Sequence, residues 1–263
     1  MKHLVEAMLN RLEKLDHDEL IRWAAPIPCF GRLERAEVAT LGINPSDREF
    51  LDTNGAELNE NERRFHTLNS LGIIRWSHAN RDNIETIVNS CDEYFFRNPY
   101  RAWFDRLEPI ICATGRSYYD RMFPACHIDL LPFATSSKWG ELRASRRKLL
   151  LAENSDLLYH LLEHANFRVL ILNGRSVVSE FVTLTGALLE GQEMPTWALR
   201  RSNKANVKGY CYRGILKAIN GFTLRRPLTV LGFNHNIQSS FGVTNDVVTE
   251  IASWVNKQEF AVE

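Results

Sequence analysis

The sequence predicts an α/β fold, a largely parallel sheet with helices on both faces, and three observations predict it. Four short apolar runs bounded by turn residues lie at 37–43, 127–131, 168–172 and 228–233. Stretches with helical periodicity separate them, and strands alternating with helices build a parallel sheet whose ligands bind beyond the strand carboxyl ends. With 263 residues and 44% apolar content, the chain can bury one large core, so a single domain is expected over 1–263.

Residues 2–15 read as an amphipathic helix within an N-terminal helical segment, 1–25. Lys2, Glu6, Arg11, Glu13 and Lys14 interrupt any apolar run that would serve as a signal peptide or membrane span. The first strand closes on a glycine turn that presents Asn44, and Pro45 stiffens the exit. A long polar connection, 46–80, follows, then helices at 82–88 and 101–114 and the strand at 127–131. A helix at 142–164, the strand at 168–172 and a helix at 175–185 come next. A second long connection, 186–221, precedes the strand at 228–233, which opens onto the polar run Asn234-His235-Asn236-Ile237-Gln238-Ser239-Ser240. The last helix, 243–255, carries Val247, Val248, Ile251 and Val255 at helical spacing. Long insertions at the strand-end face are usually functional loops.

Charge is balanced, with 32 basic and 32 acidic residues, which argues against a generally sticky nucleic-acid binder. Its distribution is uneven. From Met194 to Asn245 there are eight basic residues, Arg200, Arg201, Lys204, Lys208, Arg213, Lys217, Arg225 and Arg226, and no acidic one. That is the composition of an anionic-ligand surface or of a solvated face. A second basic cluster spans 138–148. Cys29, Cys91, Cys112, Cys126 and Cys211 show neither Cys-x-x-Cys pairing nor nearby histidines. Reduced thiols in a cytoplasmic protein are expected, with no zinc or iron–sulfur site.

Gly42-Ile43-Asn44-Pro45-Ser46 resembles the first motif of the uracil-DNA glycosylase superfamily, nearest its mismatch-specific uracil/thymine branch, where glycine typically takes the place of Ser46. In order, His127-Ile128-Asp129-Leu130-Leu131-Pro132-Phe133 is similar to the base-reading strand and Val169-Leu170-Ile171-Leu172-Asn173-Gly174 to the third strand. Val230-Leu231-Gly232-Phe233-Asn234 is similar to the strand leading into the final motif. That motif departs from the pattern, because His235-Asn236-Ile237-Gln238 stands where the family has Pro-Ser after its His or Asn. The matched segments span 38–242 without the long insertions. The resemblance implies a three-layer sandwich with a central four-stranded parallel sheet and double-stranded DNA across the strand carboxyl ends. It implies a monomeric, monofunctional glycosylase that flips a nucleotide and hydrolyses its N-glycosidic bond with water, using no metal, cofactor or membrane.

Such a reaction must hold the base, stabilise the charge that gathers on it, and place a water. Asn44 sits where the superfamily has an Asp or Asn facing the sugar; an amide is no base at neutral pH, but it orients a water. Gly42, Ile43, Pro45 and Ser46 shape that turn, and Asp47 is the ionisable alternative activator or a helix cap. Asp129 stands at the base-reading position. A carboxylate cannot donate to uracil O4 but accepts from the N4 amine of cytosine, so a cytosine-type base is expected; a structural ion pair is the rival role, and His127 the rival reader. Asn234 or His235 supplies a hydrogen bond to the base O2 or adjacent phosphate. Asn173 ends the third strand beside the pocket, and Phe65 or Tyr100 offers a stacking platform. Ile237, Gln238 and Ser239 fall where the family inserts a wedge, with a core isoleucine the alternative. Arg200, Arg201, Lys204 and Lys208 are the expected backbone contacts.

The expected substrate is therefore a flipped pyrimidine, a modified cytosine such as glucosylated hydroxymethylcytosine in phage DNA, with the long insertions widening the pocket rim. Its release would leave an abasic site and serve antiviral defence. The rival readings are a uracil/thymine mismatch-repair glycosylase, a catalytically silent nucleic-acid-binding module of the same fold, and a nucleoside or nucleotide hydrolase.

Overall fold

The computed structural model describes residues 1–202 and 205–258. Along the chain run α1 (Lys2–Lys14), β1 (Val38–Gly42), α2 (Arg81–Asp92), α3 (Arg101–Phe104), α4 (Glu108–Cys112), β2 (Ala125–Asp129), α5 (Ala144–Glu153) and α6 (Ser155–His164). They continue with β3 (Val169–Asn173), α7 (Arg175–Thr185), β4 (Glu190–Leu199), β5 (Val207–Ile219), β6 (Phe222–Phe233) and α8 (Asn245–Asn256). The chain divides into two compact units, the first from 1–34, 43–100 and 127–164, the second from 35–42, 101–126 and 165 onward.

The α/β class is as expected, but the sheet is not a four-stranded parallel one. It has six strands in the order β2-β1-β3-β6-β5-β4 and is mixed. β1 pairs parallel with β3, from Val38 opposite Val169 to Leu41 opposite Leu172, and β3 pairs parallel with β6, from Val169 opposite Thr229 to Asn173 opposite Phe233. Every residue of β1 and β3 is buried, which is why both read as unbroken apolar runs rather than alternating ones. Each fully buried Val, Leu or Ile there contributes roughly 1.5–3 kcal/mol.

The correction lies at 186–221, where the sequence suggested a long connection. Most of that stretch is sheet. β4 and β5 pair antiparallel, and β5 pairs antiparallel with β6, which starts at Phe222 rather than at 228. The β5–β6 hairpin turns on Asn220 and Gly221, both left-handed at φ 49° and 84°, the backbone a two-residue Asn-Gly turn demands. β4 and β5 are locked by close approach at Gly209, where a Cβ would sit 2.3 Å from Trp197 Cβ. Pro195 falls in β4, at the sheet edge and inside a register irregularity between Met194 and Leu199, where a missing N–H is tolerated.

Two expected helices are each broken in two. The 101–114 helix becomes α3 and α4, with Pro109 in the first turn of α4, where its missing N–H costs nothing. The 142–164 helix splits into α5 and α6 at the fully buried Asn154, whose Nδ2 donates back to the Leu150 carbonyl at 2.8 Å. In the first unit α1 buries Leu4, Val5, Met8, Leu9 and Leu12, packing on α2 and α6. In the second, α8 is capped by Thr244 and packs its Val247, Val248, Ile251 and Val255 face near α4 and β4. The 46–80 connection is irregular, as expected, with short 3₁₀ turns at Asp47–Glu49 and Trp76–His78.

Candidate functional site

β1 ends at the buried Gly42, and the chain past it enters the first unit at Ile43. The Ile43 carbonyl accepts from Leu131 N at 2.9 Å, so the segments beyond β1 and β2 run side by side. Within the first unit Asn44 is half-buried and its amide is fixed. Nδ2 donates to the Pro45 carbonyl at 2.9 Å and to Thr135 Oγ1 at 3.0 Å, while Thr135 donates onward to Ser137 O at 2.7 Å. Both amide hydrogens are thereby used, and Asn44 Oδ1 has no hydrogen-bond partner among the described residues. Such an oxygen is a preset acceptor for a water or a substrate hydroxyl. Ser46 Oγ accepts from Arg48 N at 3.2 Å and donates to Asp47 at 2.9 Å, so both residues hold the opening of the 3₁₀ turn.

Asp129 ends β2, buried, with its Oδ1 3.3 Å from His127 Nε2. The two are separated by one residue on a strand and so share a face. Beyond this His127 contact no group among the described residues donates to the Asp129 carboxylate, leaving acceptor capacity in a place where burial is costly unless something fills it.

A second acid joins it that the sequence reading missed. Glu49 is buried at the end of the turn after Asn44, and the Tyr94 hydroxyl donates to its oxygens at 2.9 and 3.0 Å. Burial raises its carboxyl to about 7, against the opposing Arg64 charge and the Tyr94 hydrogen bond; the nearby Asp129 charge adds to the rise. Arg64 Nε lies 4.0 Å from that carboxylate and donates to the Asn98 carbonyl at 2.8 Å. Ser46-Asp47-Arg48-Glu49 has the Ser-x-x-Glu spacing of a capping box, which disguises Glu49 as a helix-start residue. The inward turn of its side chain depends on Tyr94, forty-five residues away.

Aromatic rings wall this region. Phe65 stacks on Tyr94 with centroids 5.1 Å apart and 13° between planes, and Phe30 meets Phe65, Tyr94 and His127 at 5.3, 4.9 and 5.3 Å. Phe65 is buried with one face already covered by Tyr94. Tyr100 is half-buried, its backbone N–H donating to Tyr94 Oη at 2.9 Å and its ring 5.8 Å from the Arg64 guanidinium.

In the second unit, the polar run after β6 is a knitted turn. Asn173, at the end of β3, donates to Gln238 Oε1 at 2.7 Å and accepts from Ile237 N at 3.1 Å; Gln238 Nε2 donates to the Trp103 carbonyl at 3.0 Å. Asn234 is likewise engaged at both ends, accepting from Tyr210 N and donating to the Lys208 carbonyl, each at 2.8 Å. His235 is buried with Nε2 2.8 Å from the Trp197 carbonyl, and burial holds its pKa below the ordinary value. Ile237 is fully buried, so it packs as core, while Ser239 is exposed. The large apolar side chain this turn does expose is Phe241, at 81%.

The basic run is not all free charge. Lys208 pairs with Glu193 across β4–β5 at 2.8 Å, and Glu190 stands opposite Arg213 in the register. Arg200 and Arg201 are exposed, and Lys204 lies outside the described residues. All five cysteines are free thiols, and among the described residues no cluster of His, Cys, Asp and Glu is placed to hold a metal ion. No helix of the described residues is long and apolar enough to cross a membrane. No protein-family model matches the chain. No curated protein matches it in sequence either.

Proposed function

We propose that the chain is a monofunctional DNA glycosylase that hydrolyses the N-glycosidic bond of a flipped, cytosine-type pyrimidine. The observation that carries this reading is a pair of acceptors at neighbouring strand ends, Asn44 Oδ1, which has no partner among the described residues, and the Asp129 carboxylate, which faces only His127 at 3.3 Å; the Ile43–Leu131 hydrogen bond joins their segments. In the proposed reaction Asn44 Oδ1 accepts from the attacking water and steers its oxygen towards C1′. Asp129 accepts from the N4 amine. As the C1′–N1 bond breaks, its electron pair leaves with the base; Glu49, whose carboxyl is poised near neutrality, supplies the proton that the base takes up and recovers one from the water. The aromatic wall lowers the polarity around these groups and strengthens each contact.

Of the two long connections expected to widen the pocket rim for a base substituent, only 46–80 remains irregular, since 186–221 is largely committed to the sheet. Antiviral action on phage DNA in the cytoplasm is the setting we propose for such an enzyme. Incubating the protein with duplexes carrying uracil, a thymine mismatch or glucosylated hydroxymethylcytosine, then cleaving with alkali, tests the reading. Strand scission at the modified cytosine is expected, and Asp129→Asn should shift preference towards uracil. Fast uracil release with no action on modified cytosine would replace it with mismatch repair. One observation favours a second reading: Asn234 and His235 are both tied to backbone groups, as in a silent DNA-binding module. That module predicts no abasic product from any duplex and binding indifferent to Asn44→Ala.

A further inference from the structure

The first unit holds a polar cleft of about 580 Å³ that the proposed reaction does not use. Its walls come from the irregular segment at 60–66, from α2 through Thr86 and Asn89, and from Arg97 and Asn98. Three guanidiniums, those of Arg63, Arg64 and Arg97, line it against one carboxylate, the exposed Glu60.

Arg64 is spoken for, through the Asn98 and Arg48 carbonyls and Glu49. The guanidiniums of Arg63 and the exposed Arg97 are not: among the described residues neither has a hydrogen bond or a carboxylate within 4.0 Å, and Arg63 Nε is buried with no acceptor at all. A buried guanidinium N–H without an acceptor, as at Arg63 Nε, is costly, and arginines collected without counter-charge repel one another. His66, in the same cleft, registers that field. Burial, then the charges of Arg63 and Arg97, lower it to about 4, so it contributes no positive charge at neutral pH.

We propose that this cleft binds a phosphate group, a mono- or diester held between Arg63 and Arg97. The planar forks of two arginines match phosphate oxygens in geometry and charge, and Asn89 supplies a neutral donor on the α2 wall. Two sources present that chemistry, a free nucleotide and a nucleic-acid backbone. The site stands on the cleft alone and not on the proposed base excision.

The test is calorimetric titration of the full chain with inorganic phosphate, with deoxycytidine 5′-monophosphate and with an unmodified DNA duplex. The variants are Arg63→Gln, Arg97→Gln and Arg63→Lys, with Arg75→Gln, an exposed arginine of the same unit, as the control. Each Gln variant is expected to weaken binding about tenfold or more, the loss of one charge-assisted contact, with Arg63→Lys retaining part of it and Arg75→Gln behaving as wild type. If the backbone is the source, the duplex responds and its salt dependence falls by about one counterion per variant. If a nucleotide is the source, the monophosphate responds and the duplex does not. Unaltered thermal unfolding of Arg97→Gln separates lost binding from lost fold. No phosphate-dependent heat from any of the three probes, or equal weakening by Arg75→Gln, would overturn the proposal.

Discussion

Glu49 makes the sharpest prediction because its environment has a thermodynamic signature independent of any substrate. Its carboxyl is raised from 4.5 to about 7 by burial, so the folded chain holds a proton that the unfolded chain has already lost. Stability from this group is therefore fully present below pH 4.5, falls as pH rises, and levels off above about 7. At 1.36 kcal/mol per pH unit the total is roughly 3 kcal/mol. Glu49→Gln keeps an oxygen for the Tyr94 hydroxyl but carries no charge, so it should gain on the wild type by that amount between pH 4.5 and 8. Urea unfolding of both proteins across this range measures the difference, and titrating groups not coupled to Glu49 cancel in the comparison. Parallel pH profiles would refute the reasoning. The same variant should lose base release, since an amide cannot hand over a proton.

Asn44→Ala removes the oriented acceptor and should lower base release by about 10²-fold or more; alkali-scission rates decide it, with unfolding shifted by only about 1 kcal/mol for the lost Thr135 bond. Asn234→Ala strands Tyr210 N and the Lys208 carbonyl and should cost about 1–3 kcal/mol, visible in chemical denaturation whether or not any DNA is present. Gly209→Ala drives a methyl into Trp197 and should destabilise by roughly 1–3 kcal/mol or more, read as a lowered melting temperature.

Where a strand is buried on both faces, its run of apolar residues is visible in one dimension. β1 and β3 were accordingly legible within a residue, and α7 in full, since its ends are marked by Gly174 and by the left-handed Gly186. β4 and β5 were not. Much of β4 is exposed and β5 only partly buried, so neither forms an apolar run, and a fold reading based on apolar runs passes over them. Asn220-Gly221 is a hairpin signal, but Lys217 interrupts the apolar residues on its N-terminal side. At the candidate site, Asn44 and Asp129 stand out in the sequence because motifs frame them. Glu49 was hidden by its capping-box spacing, and the Phe30–Phe65–Tyr94 wall by sequence distance. Nor could local reading foresee that Asn234 and His235 spend their polar atoms on β4 and β5 backbone, since those strands were themselves unread.

The β5–β6 hairpin outgrows the sheet that carries it. Parallel pairing with β3 begins only at Thr229, so among the described residues β6 from Phe222 to Leu228 finds its strand partner in β5 alone. This ribbon displays Ile215 and Phe222 to solvent and carries Lys217, Arg225 and Arg226 along its length. Two-stranded arms of this sort hold together weakly and offer amide edges to any neighbour that can add a strand. A fluorophore or short peptide spliced between Asn220 and Gly221 would thus ride on the turn of this hairpin, several residues along the strand from the buried register at Thr229, and report encounters there.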